Sequence, residues 1–266
     1  MDSITSNQRR QYNRFTQDGA RKALTTVNPD KDGLQRLFGR GDEWQDHLAA
    51  GIARLTAKMP DYSLARSILG ADFITPEEVA KARPSIVYTH DQITALAESL
   101  PSKDMLMWCK DNSYATVPAP TSAMSLLDVR EIQPTHFNSK TGGWYTDQKF
   151  AREDKTSFGW LAIKKTLVSD STNKNWDDQN KLLSAFEHVP NAAEMSWFIT
   201  TYFEVRSIRL FESVYVRTSS LNSGSGYIGV GGFNADGLGV SGFWNGSRGG
   251  GLGVSAARKF WSLTDL

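Results

Sequence analysis

The run LNSGSGYIGVGGFNADGLGVSGFWNGSRGGGLGV, residues 221–254, decides how this chain is read. Glycine fills 13 of its 34 positions, a density that in a linker would come without pattern. Here the apolar residues keep a period of two. Ile228 and Val230, Leu238 and Val240, and Leu252 and Val254 form three alternating pairs, each the signature of a short strand with one buried face. Asn234-Ala235-Asp236-Gly237 has the composition of a tight turn between the first two strands. Gly231-Gly232 reads as a bulge, because Phe233 breaks the parity set by Ile228 and Val230. Small or adaptable groups (Tyr227, Gly229, Gly239, Ser241, Phe243, Gly251) occupy the alternate positions. One specified face and one permissive face suit a binding surface.

Outward from this run, the totals set bounds. A chain of 266 residues holds one large domain or two modest ones. A net charge of +1 argues against a general nucleic-acid binder. The basic residues Arg9, Arg10, Arg14, Arg21 and Lys22 read as a solvated helix face. Cys109 is the single cysteine, which excludes an intrachain disulfide and a cysteine metal cluster. No run reaches the length of a membrane span. The opening MDSITSNQRRQYNRF has no apolar core of a secretory signal. A cytoplasmic product is therefore expected, with display on a virion or cell surface left open.

Residues 1–71 read as a helical region. Trp44, His47, Leu48, Gly51, Ile52 and Leu55 follow helical spacing. Asn28-Pro29-Asp30-Lys31-Asp32-Gly33 interrupts it with the start of an EF-hand-like pattern, but Gly39 stands where a bidentate Glu is required. Residues 72–123 carry short helices: one capped by Thr75 with Pro76 at its first position, one opened by Thr89 and Gln92, and a third after Ser102. Val117-Pro118-Ala119-Pro120-Thr121 then reads as an extended linker and a domain boundary. Residues 124–266 are expected to form an α+β domain. Its strands are placed at 125–129, 158–163 and 213–218, with an amphipathic helix starting after Pro190 that carries Met195, Phe198, Ile199 and Phe203.

Catalytic patterns are weak. The spellings Gly224-Gly226-Gly229, Gly237-Gly239-Gly242 and Gly251-Gly253-Ala256 match a dinucleotide fingerprint, yet they lie within the strand pattern and not between a strand and a helix. There is no GxSxG elbow and no HExxH. His47, His90, His136 and His188 are far apart in sequence, and His188 beside Glu187 is the one candidate base. The expectation is a protein that is not an enzyme, with no cofactor and no metal.

Val214-Tyr215-Val216-Arg217-Thr218, the glycine-rich run, and the closing Leu252-Gly253-Val254-Ser255-Ala256-Ala257-Arg258 together resemble the variable proteins of diversity-generating retroelements. The resemblance covers roughly residues 124–260. It implies a C-terminal C-type-lectin-like domain of the formylglycine-generating-enzyme type, preceded here by the helical N-terminal region. In that family adenine-directed mutagenesis rewrites Asn codons, which yields Asn, Ser, Gly, Asp, Tyr, Thr, Ala, Phe or Arg but not Lys, Glu, Gln, Met or Trp. The run lacks Lys, Glu, Gln and Met altogether. The resemblance makes Ile228, Val230, Phe233, Leu238, Val240, Trp244, Leu252 and Val254 a constant inward scaffold. It makes Ser225, Tyr227, Gly229, Gly232, Asn234, Gly239, Ser241, Gly242, Phe243, Asn245, Ser247, Gly249 and Gly250 the outward, ligand-binding positions. Formylglycine chemistry itself would need paired cysteines, and Cys109 lies outside the domain.

The expected function is non-enzymatic binding of a protein or other macromolecular ligand through a hypervariable surface. Tyr227, Phe243 and Asn234 would contribute most, and homo-oligomer formation stays open. The alternative is a structural or adhesive phage or surface module with an invariant glycine-rich β interface.

Overall fold

A computed structural model describes residues 4–56 and 60–258. The chain mixes helix and sheet, as an α+β reading requires, and divides into two compact units, Met1–Met59 and Pro60–Leu266. The second unit begins at Pro60. The tail 259–266 and the Leu55 side chain lie outside the described residues.

The first unit is α1 (Ser6–Val27), α2 (Lys31–Phe38) and α3 (Gly41–Thr56). Local chemistry defines these helices. Thr5 and Gln8 form a capping box on α1, and Asn28 ends it in the left-handed region at φ 44°. The Asp30 carboxylate accepts from Gly33 N at 2.6 Å to start α2, so this oxygen of the EF-hand-like stretch serves as a helix cap. Neither α1 nor α2 buries a residue, and Phe15, Val27, Phe38 and Trp44 are exposed. Among the described side chains of α3, Trp44, Leu48 and Ile52 are likewise exposed and none is buried.

The second unit opens with α4 (Ser63–Leu69), α5 (Pro76–Ala82), α6 (His90–Glu98) and α7 (Lys103–Asp111). Capping boxes at Thr75–Glu78 and Thr89–Gln92 and the Ser102 cap start the last three. β1 (Tyr114–Pro118) follows, and it corrects the linker expected there. It is an edge strand, paired residue for residue with β2 (Trp160–Lys164) and buried throughout. Pro118 is tolerated because it closes a strand at the sheet edge, and its carbonyl accepts from the Trp197 indole at 3.0 Å.

Between these strands lie α8 (Leu126–Ile132) and α9 (Lys149–Glu153). A strand was expected at 125–129. Ser125 instead caps a helix, its hydroxyl accepting from Asp128 N while Asp128 reaches back to Ser125 N. A cap with a reciprocating acid three residues on outweighs a short apolar run. After β2 come α10 (Trp176–Asn180), β3 (Glu187–His188) and α11 (Ala192–Arg206). α11 is not amphipathic, since every residue from Ala192 to Tyr202 is buried. It packs on both sheets, so no face of its first three turns meets water.

The described residues end in β4 (Tyr215–Leu221), β5 (Tyr227–Asn234), β6 (Gly237–Phe243), β7 (Leu252–Val254) and β8 (Ala257–Arg258). One sheet has the order β1-β2-β8-β3 and the other β6-β5-β4-β7, with β4 and β7 parallel. Ser255 and Ala256 carry the chain between the sheets, and Ala256 O accepts from Lys164 N at 2.9 Å. The turn at residues 234–237 is the expected two-residue hairpin, with Asn234 Oδ1 accepting from Asp236 N at 2.8 Å. Gly237 adopts φ 104°, and a Cβ there would lie 2.6 Å from the Phe137 carbonyl carbon. The expected bulge is also present: register shifts between Gly231 and Asn234, with Gly232 at φ 57°. Among the described residues no helix is long and apolar enough to cross a membrane.

Candidate ligand-binding surface

The β6-β5-β4-β7 sheet has two covered faces. Val216 registers with Val230, and Val230 with Val240. With Ile228, Phe233 and Leu238 this face packs into the main core beneath α11. On the opposite face Tyr215 registers with Gly231, Arg217 with Gly229, and Tyr227 with Phe243. Leu252 and Val254 register with Tyr215 and Arg217, so they belong to this second face and not to the one carrying Ile228 and Val230. Val254 packs there with Trp176 and Val189, and the Tyr227 ring stacks on Trp176 at 3.9 Å and 20°.

The second face is therefore not an open platform. Gly229 and Gly239 were expected to be outward, but both are buried. A Cβ on Gly229 would run into the Phe243 ring, and one on Gly239 into the Tyr215 hydroxyl. Those two rings lie 5.7 Å apart and roof the glycines. Tyr227, Ser241 and Phe243 are half-buried. Gly232 is half-buried within the bulge, against the Tyr215 ring. Asn234 is exposed at the hairpin tip. The eight residues of β5 span about 25 Å, so Asn234 lies at the end of the sheet away from Ser225.

What gathers is the other end, where the turn between β4 and β5 meets the loop between β6 and β7. Ser225, Gly242, Asn245 and Gly250 are exposed here, and Ser247 and Gly249 half-buried. A Cβ on Gly224 would lie 3.8 Å from Trp244 Cη2, and one on Gly226 would lie 3.3 Å from Phe243 O. Trp244 was expected to be an inward scaffold residue. Its indole is 70% exposed, because it follows the last paired residue of β6, where no strand imposes a face.

Arg217 organises this end. Its side chain is fully buried and its guanidinium donates to four oxygens: Lys174 O (3.3 Å), Gln179 Oε1 (2.8 Å), Trp244 O (2.9 Å) and Ser247 O (2.7 Å). Burial holds its pKa below the usual guanidinium value, with Tyr227 acting in the opposite sense. Trp176 N donates to Asn245 O at 3.1 Å and Asn173 N to Gly249 O at 3.0 Å. Residues 244–250 are thus held mainly through their carbonyl oxygens. Asn245 is the exception, its side chain donating to Asp177 at 3.3 Å.

The sequence reading missed Trp144. Its Nε1–H donates to Val240 O at 3.0 Å on the outer edge of β6, yet the ring is 47% exposed. The Gly142-Gly143-Trp144-Tyr145 string was the available signal. Among the described residues no three His, Cys, Asp or Glu side chains converge as a metal site needs.

The chain was compared with protein-family profiles, with curated proteins and with solved structures. None of the three gives a match.

Proposed function

We propose that this protein is a non-enzymatic binding protein whose exchangeable surface is the end of the sheet formed by residues 222–226 and 242–250. One observation carries the reading. The loop at 244–250 is held by main-chain oxygens to Arg217, Trp176 and Asn173, so most of its side chains can change while its path stays the same. Preorganised backbone with free side chains is what a paratope-like surface requires. The resemblance to retroelement variable proteins with a C-type-lectin-like domain supports the same reading. It adds that this stretch of the gene is where new side chains would be written.

The surface is smaller than the thirteen positions implied by that resemblance. Gly229 and Gly239 would serve as floor for Phe243 and Tyr215, and Asn234 would lie beyond the reach of a ligand centred on Trp244. Two measurements test the proposal. Joint replacement of Asn245, Ser247, Arg248 and Gly250 should alter stability by no more than about 1 kcal/mol, as for exposed sites; cooperative loss of the fold would reject it. At the DNA level, a near-copy of the coding stretch differing at template adenines, beside a reverse transcriptase, is expected.

A further inference from the structure

The first unit has helices but no interior. Among its described residues none is buried, yet it holds ten of the twenty large apolar side chains that the described residues expose. α2 has eight residues, fewer than the about 12–15 at which a lone helix becomes even marginal in water. A cap contributes about 1 kcal/mol, against about 1–2 kcal/mol to order the backbone of each residue. Such helices persist where their apolar sides are covered.

Those sides are continuous. On α1, Tyr12, Phe15, Gly19, Ala23 and Val27 recur at steps of three or four and form one stripe, while Arg10, Arg14 and Arg21 fall on the opposite side. On α3, Trp44, Leu48 and Gly51 share a side, opposite Asp42 and Asp46. Together the ten exposed side chains leave about five side chains' worth of apolar surface in water. At about 150–250 Å² for a large aromatic and less for an aliphatic, this is on the order of 800 Å². A standard stable complex takes about 800 Å² from each partner.

Charge selects what covers it. α1 carries Arg9, Arg10, Arg14, Arg21 and Lys22 against Asp18, a net +4. α3 carries Asp42, Glu43 and Asp46 against Arg54, a net −2 with His47 neutral. An anionic lipid surface would attract α1 and repel α3, so it does not suit both. Two α1 helices side by side would set +4 beside +4. Packed helices lie about 8–10 Å apart, near one Debye length, so these charges act across the contact. One chain thus supplies both a basic and an acidic apolar helix, and a second copy satisfies both at once through the same pair of contacts.

We infer that the first unit is a dimerisation element. α1 of each protomer packs the stripe carrying Tyr12 and Phe15 against the apolar side of α3 in its partner. The inference is independent of the binding-surface reading above.

Sedimentation equilibrium of the full chain tests it. At micromolar concentration the mass should be twice the 29.5 kDa of one protomer. Phe15→Asp and Trp44→Asp should each weaken the dimer about tenfold or more, the size of an interface hot spot. Arg10→Glu, Arg14→Glu and Arg21→Glu together take α1 to −2 and should also dissociate it. Adding Asp42→Arg and Asp46→Arg takes α3 to +2 and should restore the dimer, which a misfolded first unit could not do. A parent that sediments as one protomer overturns the proposal, as does one that stays monomeric and binds phosphatidylserine vesicles. So does a dimer indifferent to Phe15→Asp and Trp44→Asp, or a charge reversal that the compensating pair does not rescue.

Discussion

The guanidinium of Arg217 donates to the carbonyl oxygen of Trp244 at 2.9 Å, while the indole of Trp244 projects into solvent. One residue thus joins a buried cation to an exposed ring. The strand holding Arg217 is rigid, being paired on one side with β5 and on the other with β7. Through Arg217 that rigidity reaches a loop that has no strand of its own.

Replacing Arg217 with Met should therefore cost about 3 kcal/mol, since buried carbonyls at Trp244 and Ser247 lose a charged donor. Lysine should recover little, because one ammonium cannot span four separated acceptors. Urea denaturation measures the first effect. Limited proteolysis measures the second, with new cuts expected within residues 244–250. A variant as stable and as protease-resistant as the parent would remove Arg217 from this role.

The glycines separate into two classes by what a Cβ would meet. At Gly231 it would strike the Val214 carbonyl, a backbone atom that cannot swing aside, and at Gly246 it would meet open space. Gly231→Ala should destabilise by about 2 kcal/mol or more, whereas Gly246→Ser and Gly249→Ser should stay within about 0.5 kcal/mol. Thermal melts of the three variants decide it, and equal costs at all three positions would contradict the geometry.

Much of this second unit was legible in the chain. The three β pairs, the hairpin at Asn234, the bulge at Gly231-Gly232 and the caps at Thr75, Thr89 and Ser102 all follow from local chemistry, and local chemistry is what a sequence displays directly. Face assignment was less legible. Alternation shows that Leu252 and Val254 share a face with each other, but only the parallel pairing of β7 with β4 shows which face that is. Accessibility was illegible for the same reason. Gly229 and Gly239 alternate as outward residues do, and are sealed by Phe243 from the adjacent strand and by Tyr215 from the strand beyond it. Ser125 was misread because two apolar residues after it outweighed its cap, and Val117-Pro118 because a proline was taken for a linker when it ends an edge strand.

His136 should make stability depend on pH. It is buried against Phe203 and Phe233, with Nε2 2.6 Å from Glu204 Oε1. Burial, then the nearby Arg83 and Arg209 cations, hold its pKa down to about 4 despite that carboxylate. The close pair is therefore a neutral imidazole donating Nε2–H to Glu204, which also accepts from Gln133 at 3.0 Å. The folded pKa lies below the unfolded value of 6.5, so the unfolded chain binds the extra proton first. The contribution is complete above pH 6.5 and is lost as pH falls toward 4, up to about 3 kcal/mol. Denaturation curves across that range should show the decline in the parent and a shallower one in His136→Gln. Parallel curves would show that another group carries the dependence.

Arg83 lies in the same interior, 1% exposed and 4.8 Å from the centre of the Trp197 ring. Among the described residues none of its three guanidinium nitrogens has a hydrogen-bond partner. Burial lowers its pKa to about 10, with Glu204 and Tyr88 acting against that shift, so it is still a cation at neutral pH. An unpaired buried cation loses more on leaving water than one aromatic face returns. Arg83→Met, similar in length and apolar, should therefore be neutral or stabilising by about 1–2 kcal/mol. Removing this cation also removes one of the influences that hold His136 down, so the His136 titration should move upward, which an NMR titration can follow. Destabilisation beyond about 2 kcal/mol would mean that the stack on Trp197 outweighs the cost of burying the charge.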